Sequence, residues 1–182
     1  MKLIILDRDG VINFDSDEYI KNINEWHPIP GSLEAIAKLS QAGFKIAVAT
    51  NQSGINRGLF GIQELDEMHQ MLHNRVRELG GYIDAIFFCP HQPKDHCDCR
   101  KPNTGLFRLI ANFFQVSLNG VPTIGDSWRD IEAALSMNCR PILVRTGKGE
   151  ETLQLHQEDI KKIPVYTDLS AAAAELIKDS IL

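Results

Sequence analysis

The chain has 182 residues, enough to bury one sizeable core, and it reads as a single domain over 1–182. Its 43% hydrophobic and 24% charged residues are those of an ordinary folded protein, which excludes disordered, collagen-like and mucin-like classes. Nineteen Lys and Arg against 24 Asp and Glu give a net charge of −5, a field that repels polyphosphate backbones and disfavours nucleic acid as a partner.

A first strand is expected at Leu3-Ile4-Ile5-Leu6. This run stops at Asp7-Arg8-Asp9, and no other approaches the roughly 18 apolar residues that span a bilayer. No signal peptide, anchor or membrane partner is expected, and the cytoplasm is the expected compartment. Pro30-Gly31-Ser32 opens a helix carrying Leu33, Ile36, Ala37 and Leu39, closed by Gly43 ahead of a buried strand over 45–49. Ile62, Leu65, Met68, Leu72, Val76 and Leu79 recur at helical spacing up to Gly80-Gly81 and lead into a strand over 85–88. Leu106, Leu109, Ile110, Phe113 and Phe114 predict a third helix with one buried stripe, followed by a strand over 122–124. A helix over 128–137, a strand over 141–144, a loop around Gly147 and Gly149, a strand at Val165-Tyr166 and a helix over 171–177 complete the chain. This alternation predicts an α/β three-layer sandwich of Rossmann-like type, with a mainly parallel sheet and helices on both faces.

In such sheets ligands bind beyond the carboxyl ends of the strands. The first strand ends in Asp7-Arg8-Asp9-Gly10, where a turn at Gly10 brings both carboxylates to one site. The second ends in Thr50-Asn51-Gln52-Ser53-Gly54, hydroxyls and amides suited to anionic oxygens. Arg100-Lys101-Pro102 brings two cations just before the third helix, and the fourth strand ends in Gly125-Asp126-Ser127-Trp128-Arg129-Asp130. Each segment alone reads as a capped turn; four converging on one mouth point to catalysis.

These residue types support phosphoryl transfer through a covalent intermediate. Asp7 is the expected nucleophile. Its carboxylate and that of Asp126 are expected to hold Mg²⁺, with Asp9 adding a backbone carbonyl, because Mg²⁺ takes hard oxygen ligands. The Asp9 side chain is then free to serve as general acid and later as general base. Thr50 and Lys101 are expected to stabilise the phosphoryl oxygens, and Asp130 to support the loop or the metal from one layer out.

Cys89, His91, His96, Cys97 and Cys99 fall within eleven residues, a cluster that suggests a metal rather than disulfides. Cys89-x-His91 with Cys97-x-Cys99 supplies a closed tetrahedral set for structural Zn²⁺, with His96 the alternative to His91. Such a metal would fix Arg100 and Lys101. Cys139, alone before a strand, reads as a core thiol. His69 and His73 lack the intervening Glu of a zinc-protease helix and read as surface or packing residues. Trp26 either lines the entrance or pins its loop, and Gly147-Lys148-Gly149 reads as a flexible loop rather than a phosphate cradle.

Asp7-Arg8-Asp9-Gly10-Val11, Thr50, Lys101 and Gly125-Asp126 with Asp130 resemble the four motifs of the haloacid dehalogenase (HAD) superfamily of aspartate-nucleophile phosphatases, over residues 3 to 130. Thr50-Asn51-Gln52-Ser53-Gly54-Ile55 with Arg57-Gly58, Cys89-Pro90-His91 and Cys97-Asp98-Cys99-Arg100-Lys101-Pro102 resemble its heptose bisphosphate phosphatase branch. The resemblance implies a HAD-like fold and a magnesium-dependent hydrolase acting on a small phosphorylated sugar in bacterial nucleotide-heptose synthesis. It also implies substrate contacts from Asp15 and Tyr19, from Asn51, Gln52 and Ser53, from Arg57 and Arg100, and from the position of Ser127, where some relatives carry lysine. The gaps after Asp9 and after Cys89 are too short for a cap domain, so the site is expected to be open. A histidinol-phosphate phosphatase and a polynucleotide-end phosphatase are rivals of the same chemistry, and an inactive zinc-stabilised binding module is a rival of another class. A monomer is the default expectation.

Overall fold

A computed structural model describes residues 1–180. Six strands, β1 (Lys2–Leu6), β2 (Phe44–Asn51), β3 (Ala85–Cys89), β4 (Pro122–Gly125), β5 (Arg140–Val144) and β6 (Val165–Tyr166), form one sheet. Their order is β3-β2-β1-β4-β5-β6 and every pair is parallel. The connections contain α1 (Ser32–Gln41), α2 (Ile62–Glu78), α3 (Gly105–Phe114), α4 (Trp128–Ser136), α5 (Gly149–Leu155), α6 (Gln157–Ile160) and, after β6, α7 (Leu169–Asp179).

Side chains alternate across β1, and the two faces feed two cores. Ile4 and Leu6 pack with Leu33, Ile36 and Leu39 of α1, with Leu65, Met68 and Leu72 of α2, and with Leu169 and Leu176 of α7. Leu3 and Ile5 pack with Leu106, Phe107 and Ile110 of α3 and Ala133 and Ala134 of α4. The expected parallel three-layer sandwich is thus the observed one. The segments joining β1 to α1 and β3 to α3 hold isolated bridges and one short 3-10 turn, so no cap is inserted at either point. Among the described residues no helix is long and apolar enough to cross a membrane.

Several local expectations need correction. The buried face of α3 is Leu106, Phe107 and Ile110, while Leu109 is 50% and Phe113 59% exposed. The buried face lies further round the helix than the expected stripe, because Phe107, beside Leu106, is the large side chain that packs with Leu3 and Ile5 of the sheet. Phe113 instead packs edge-on against Phe87 and Phe114 at the outer rim. Residues after Val144 are not merely loop: α5 and α6 follow, with Leu153 and Ile160 packing near Leu143 and Ile131. Trp26 is 2% exposed and belongs to the core, so it pins its loop, and Cys139 is a buried thiol as expected.

Candidate active site

The carboxyl ends of β1, β2, β3 and β4 open onto one mouth, and the central pair supplies its acids. Asp7 leaves β1 with its backbone N–H donating to Ile124 O on β4 at 2.9 Å, so the sheet ladder continues one residue beyond the strand. A tight turn follows: Arg8 O accepts from Ile12 N at 2.8 Å, and Gly10, at φ 85°, donates to Asn13 O at 2.7 Å. Gly10 lies against the Asp126 carboxylate, where an added Cβ would stand 2.0 Å from Oδ2. Gly147, at φ 57°, approaches the same carboxylate from the loop after β5, where a Cβ would stand 2.1 Å from Oδ2. Only residues without a side chain fit here. Thr146 Oγ1 ties the two loops by donating to Gly10 O at 2.6 Å, and Lys148 N donates to Asp126 Oδ2 at 2.8 Å.

Carboxylate oxygens of Asp7, Asp126 and Asp130 lie within 4.8 Å of one another. Lys101 Nζ pairs with two of them, 3.0 Å from Asp7 Oδ1 and 2.7 Å from Asp130 Oδ1, and donates to Ala49 O at 2.7 Å. Burial, with Asp130 and Asp9 nearby, raises the Asp7 pKa to about 7 against the pull of Lys101. Burial and the charges of Asp130 and Asp7 push Asp126 well above the usual carboxylate range. Asp130 goes the other way: the charge and hydrogen bond of Lys101 hold it low in spite of its burial. Three acids against one lysine leave unmet negative charge among hard oxygen donors, and that suits Mg²⁺. Asp9 directs its carboxylate elsewhere. It accepts from Arg8 Nε at 3.0 Å, Asn13 Nδ2 at 2.8 Å and Gln52 Nε2 at 2.7 Å, so its side chain stays clear of the acid cluster.

Thr50 and Asn51 prove to be the last residues of β2 rather than part of a following loop. Thr50 Oγ1 accepts from Gln52 Nε2 at 2.9 Å. Asn51 grips the Lys101 backbone twice, accepting from Lys101 N at 3.0 Å and donating to Lys101 O at 3.1 Å. This clamp ties the cysteine segment to β2. Cys89, His91, Cys97 and Cys99 gather their side chains, with Sγ separations of 2.9 to 3.6 Å and His91 Nδ1 at 3.2 Å from Cys99 Sγ. His91, rather than His96, completes the set. Those spacings approach the ~3.8 Å edge that Zn–S bonds near 2.3 Å imply for a tetrahedron, so the donors fit Zn²⁺.

The rim carries Asp15, Tyr19 and Ser53 together with the cations Arg57, Arg100, Arg129 and Lys148. The Arg57 guanidinium stands 5.6 Å from the Tyr19 ring centroid. Burial and the nearby Arg129 and Arg57 act against the Arg100 charge, a strain that a bound anion would relieve. Ser127 requires a correction. It is buried, its Oγ donates to Asp130 Oδ2 at 2.6 Å, and Asp130 Oδ2 also accepts from Ser127 N at 3.0 Å. It caps α4 and does not line the mouth. Arg129 and Lys148 were missed as site residues. Arg129 lies inside the Gly125 to Asp130 segment that follows β4, and the glycines flanking Lys148 signal close backbone approach rather than flexibility.

The model of the polynucleotide kinase 3 phosphatase family matches residues 2–126, and that of the HAD-hydrolase-like family matches residues 98–172. The D-glycero-beta-D-manno-heptose-1,7-bisphosphate 7-phosphatase of Pseudomonas putida is 54% identical over 181 residues, 97% of this chain and all of that one. Its counterpart in Pseudomonas aeruginosa is 51% identical over 180 residues, 97% of this chain and 98% of that one. The crystal structure of D,D-heptose 1,7-bisphosphate phosphatase from B. bronchiseptica, complexed with magnesium and phosphate, superposes with a TM-score of 0.94 at 49% identity, covering 98% of this chain and 99% of that one. Together with the parallel sheet and the acids at its centre, these matches show a phosphatase. The chain belongs to the HAD superfamily, shares the polynucleotide kinase 3 phosphatase model over most of its length, and within that superfamily belongs to the D-glycero-β-D-manno-heptose-1,7-bisphosphate 7-phosphatase family.

Proposed function

We propose that the chain hydrolyses the C7 phosphate of D-glycero-β-D-manno-heptose 1,7-bisphosphate through an aspartyl phosphate on Asp7. The observation that carries the chemistry is the meeting of Asp7, Asp126 and Asp130, with Lys101 paired to Asp7 and Asp130 and Asp9 turned to other partners. The carboxylates of Asp7 and Asp126, with the Asp9 backbone carbonyl, would hold Mg²⁺, and Asp130 stands ready beside them through its hold on Lys101. Bound there, the cation would neutralise phosphoryl oxygens so that two anions can meet.

An Asp7 oxygen attacks phosphorus as the bond from phosphorus to the C7 oxygen breaks, and Asp9 gives its proton to that oxygen. Asp9 then takes a proton from water. The water oxygen attacks phosphorus, the bond to Asp7 breaks, and inorganic phosphate leaves. Thr50 and Lys101 face the moving phosphoryl group and Asn51 keeps Lys101 in register. Gln52 orients both Asp9 and Thr50. The substrate's second phosphate and its sugar hydroxyls are met by Asp15, Tyr19, Ser53, Arg57 and Arg100, with Arg129 and Lys148 adding charge at the rim. Zn²⁺ on Cys89, His91, Cys97 and Cys99 would fix the segment that delivers Arg100 and Lys101. The product would feed nucleotide-heptose synthesis in the cytoplasm, with the protein acting as a monomer.

Phosphorus NMR of the protein with Mg²⁺ and each anomer of the bisphosphate tests the reading, with histidinol phosphate and a 3′-phosphorylated oligonucleotide in parallel samples. Loss of the C7 signal with C1 retained is expected. No turnover of the heptose beside rapid release from either comparison substrate would overturn the assignment.

A further inference from the structure

Asp9 has to offer its carboxyl first to a leaving oxygen and then to water, and that demands a fixed direction. Arg8 supplies much of it, donating from Nε to Asp9 Oδ1 at 3.0 Å and from Nη2 to Oδ2 at 3.1 Å. Yet Arg8 is fully buried, on the side of the sheet covered by α2, so its third nitrogen, which does not reach Asp9, needs an acceptor within the protein. Arg8 Nη1 lies 3.3 Å from His69 Nε2 on α2. The neighbours of His69 on the buried face of this helix are Leu65, Met68 and Leu72, and its ring tilts towards Phe88 with centroids 6.4 Å apart. An aliphatic residue would satisfy those surroundings; a histidine there needs a polar reason.

A guanidinium carries donors and no acceptor, so His69 Nε2 must present its lone pair. The ring proton therefore resides on Nδ1 and the imidazole is neutral. Burial and the charge of Arg8 push its pKa down to about 3, so this form persists at all physiological pH.

We infer that His69 is a positioning residue for the reaction: as a buried neutral acceptor it fixes Arg8 in the orientation that aims Asp9 at the leaving oxygen. The inference rests on the reading of Asp9 as general acid, and the test separates the two. kcat/KM would be measured for His69→Leu, His69→Gln and Asp9→Asn over a series of phosphate monoesters, from p-nitrophenyl phosphate to a simple alkyl phosphate. A good leaving group departs without a proton and an alkoxide does not, and kcat/KM reports only the steps through transfer to Asp7. His69→Leu should lose about 10-fold or more on the alkyl ester and under about 3-fold on p-nitrophenyl phosphate. His69→Gln, whose Oε1 can accept from Nη1, should recover most of that loss.

Equal losses across the series, or none on the alkyl ester, would overturn the role of His69. A graded loss in Asp9→Asn without one in His69→Leu sinks the inference alone; a graded loss in neither sinks the general-acid reading with it. Should His69→Leu fail to fold, nitrogen-15 NMR of the wild-type imidazole at pH 7 decides. The neutral ring protonated on Nδ1 is expected, and a ring protonated on Nε2 would refute the arrangement.

Discussion

Replacing Lys101 with methionine keeps the volume of the side chain and removes its charge from the floor of the site. The wild-type ammonium is 3% exposed and serves Asp130 Oδ1 at 2.7 Å, Asp7 Oδ1 at 3.0 Å and Ala49 O at 2.7 Å. Burial opposes the Lys101 charge, but Asp130 and Asp7 outweigh it and raise its pKa above 10.5. Its contribution to stability is therefore present below that value and is lost only as pH rises through the folded pKa. Asp130 is depressed below 3.8, so its contribution is present above 3.8 and is lost as pH falls through the folded pKa. Both are in force at neutral pH. Removing one partner of a buried pair costs about 3–5 kcal/mol, which for a chain of this size lowers Tm by about 10 °C. Calorimetry at pH 7.5 without divalent cation reads that loss directly. At pH 5 the gap should narrow, because Asp7, raised to about 7 by burial, is protonated there and needs no partner. Turnover should fall by about 10²- to 10³-fold, as expected for losing a preorganised donor. A Tm within about 2 °C of wild type at pH 7.5, or a gap that widens at pH 5, would refute the reasoning.

Magnesium affinity should weaken by about tenfold or more as pH falls from 7 to 6, since protons on the raised carboxylates of Asp7 and Asp126 compete with the cation; calorimetric titration showing a flat affinity would contradict this. Gly147→Ala, whose Cβ would stand 2.1 Å from Asp126 Oδ2 and 2.6 Å from Gly10 Cα, should weaken Mg²⁺ binding by about tenfold or more in the same titration. Cys97→Ser should purify without stoichiometric zinc and with reduced kcat, read by elemental mass spectrometry beside the assay; a zinc-free wild-type protein would remove the structural zinc. Phe107→Ala should cost about 3–5 kcal/mol in urea unfolding, while Phe113→Ala, at an exposed position with only its edge-on contacts to Phe87 and Phe114 to lose, should cost about 1 kcal/mol.

Much of this was legible in the sequence where residue type and position carried the same message. Asp7 and Asp126 follow short apolar runs, and a strand end in a parallel sheet has a known place, so their meeting followed from topology. Where the message depended on the direction of one side chain, the sequence was silent. Ser127 could face the mouth or its own helix, and the Asp130 carboxylate three residues on decides for the helix. Leu109 and Phe113 fit a helical stripe as well as Phe107 does; the face of α3 that packs on Leu3 and Ile5 is the one that holds Phe107. Gly147 looked like slack in the chain because the group it makes room for, Asp126, lies 21 residues earlier. His69 passed as a packing residue for the same reason, since Arg8 meets it only after the chain has folded.

Asp7 and Asp126 leave the inner strands β1 and β4, whereas Tyr19, Arg57, Arg100 and Lys148 stand on loops around them. The two groups answer to different selection. Under the proposed function, a change at Asp7, Lys101 or Asp126 is judged by the fold and the reaction together, because those side chains form the floor of the mouth and Lys101 and Asp126 are buried there. Under the same proposal, a change at Tyr19 or Arg57 bears chiefly on which phosphate ester is admitted. New substrates are thus open to this architecture by loop substitution, with the same floor serving each of them.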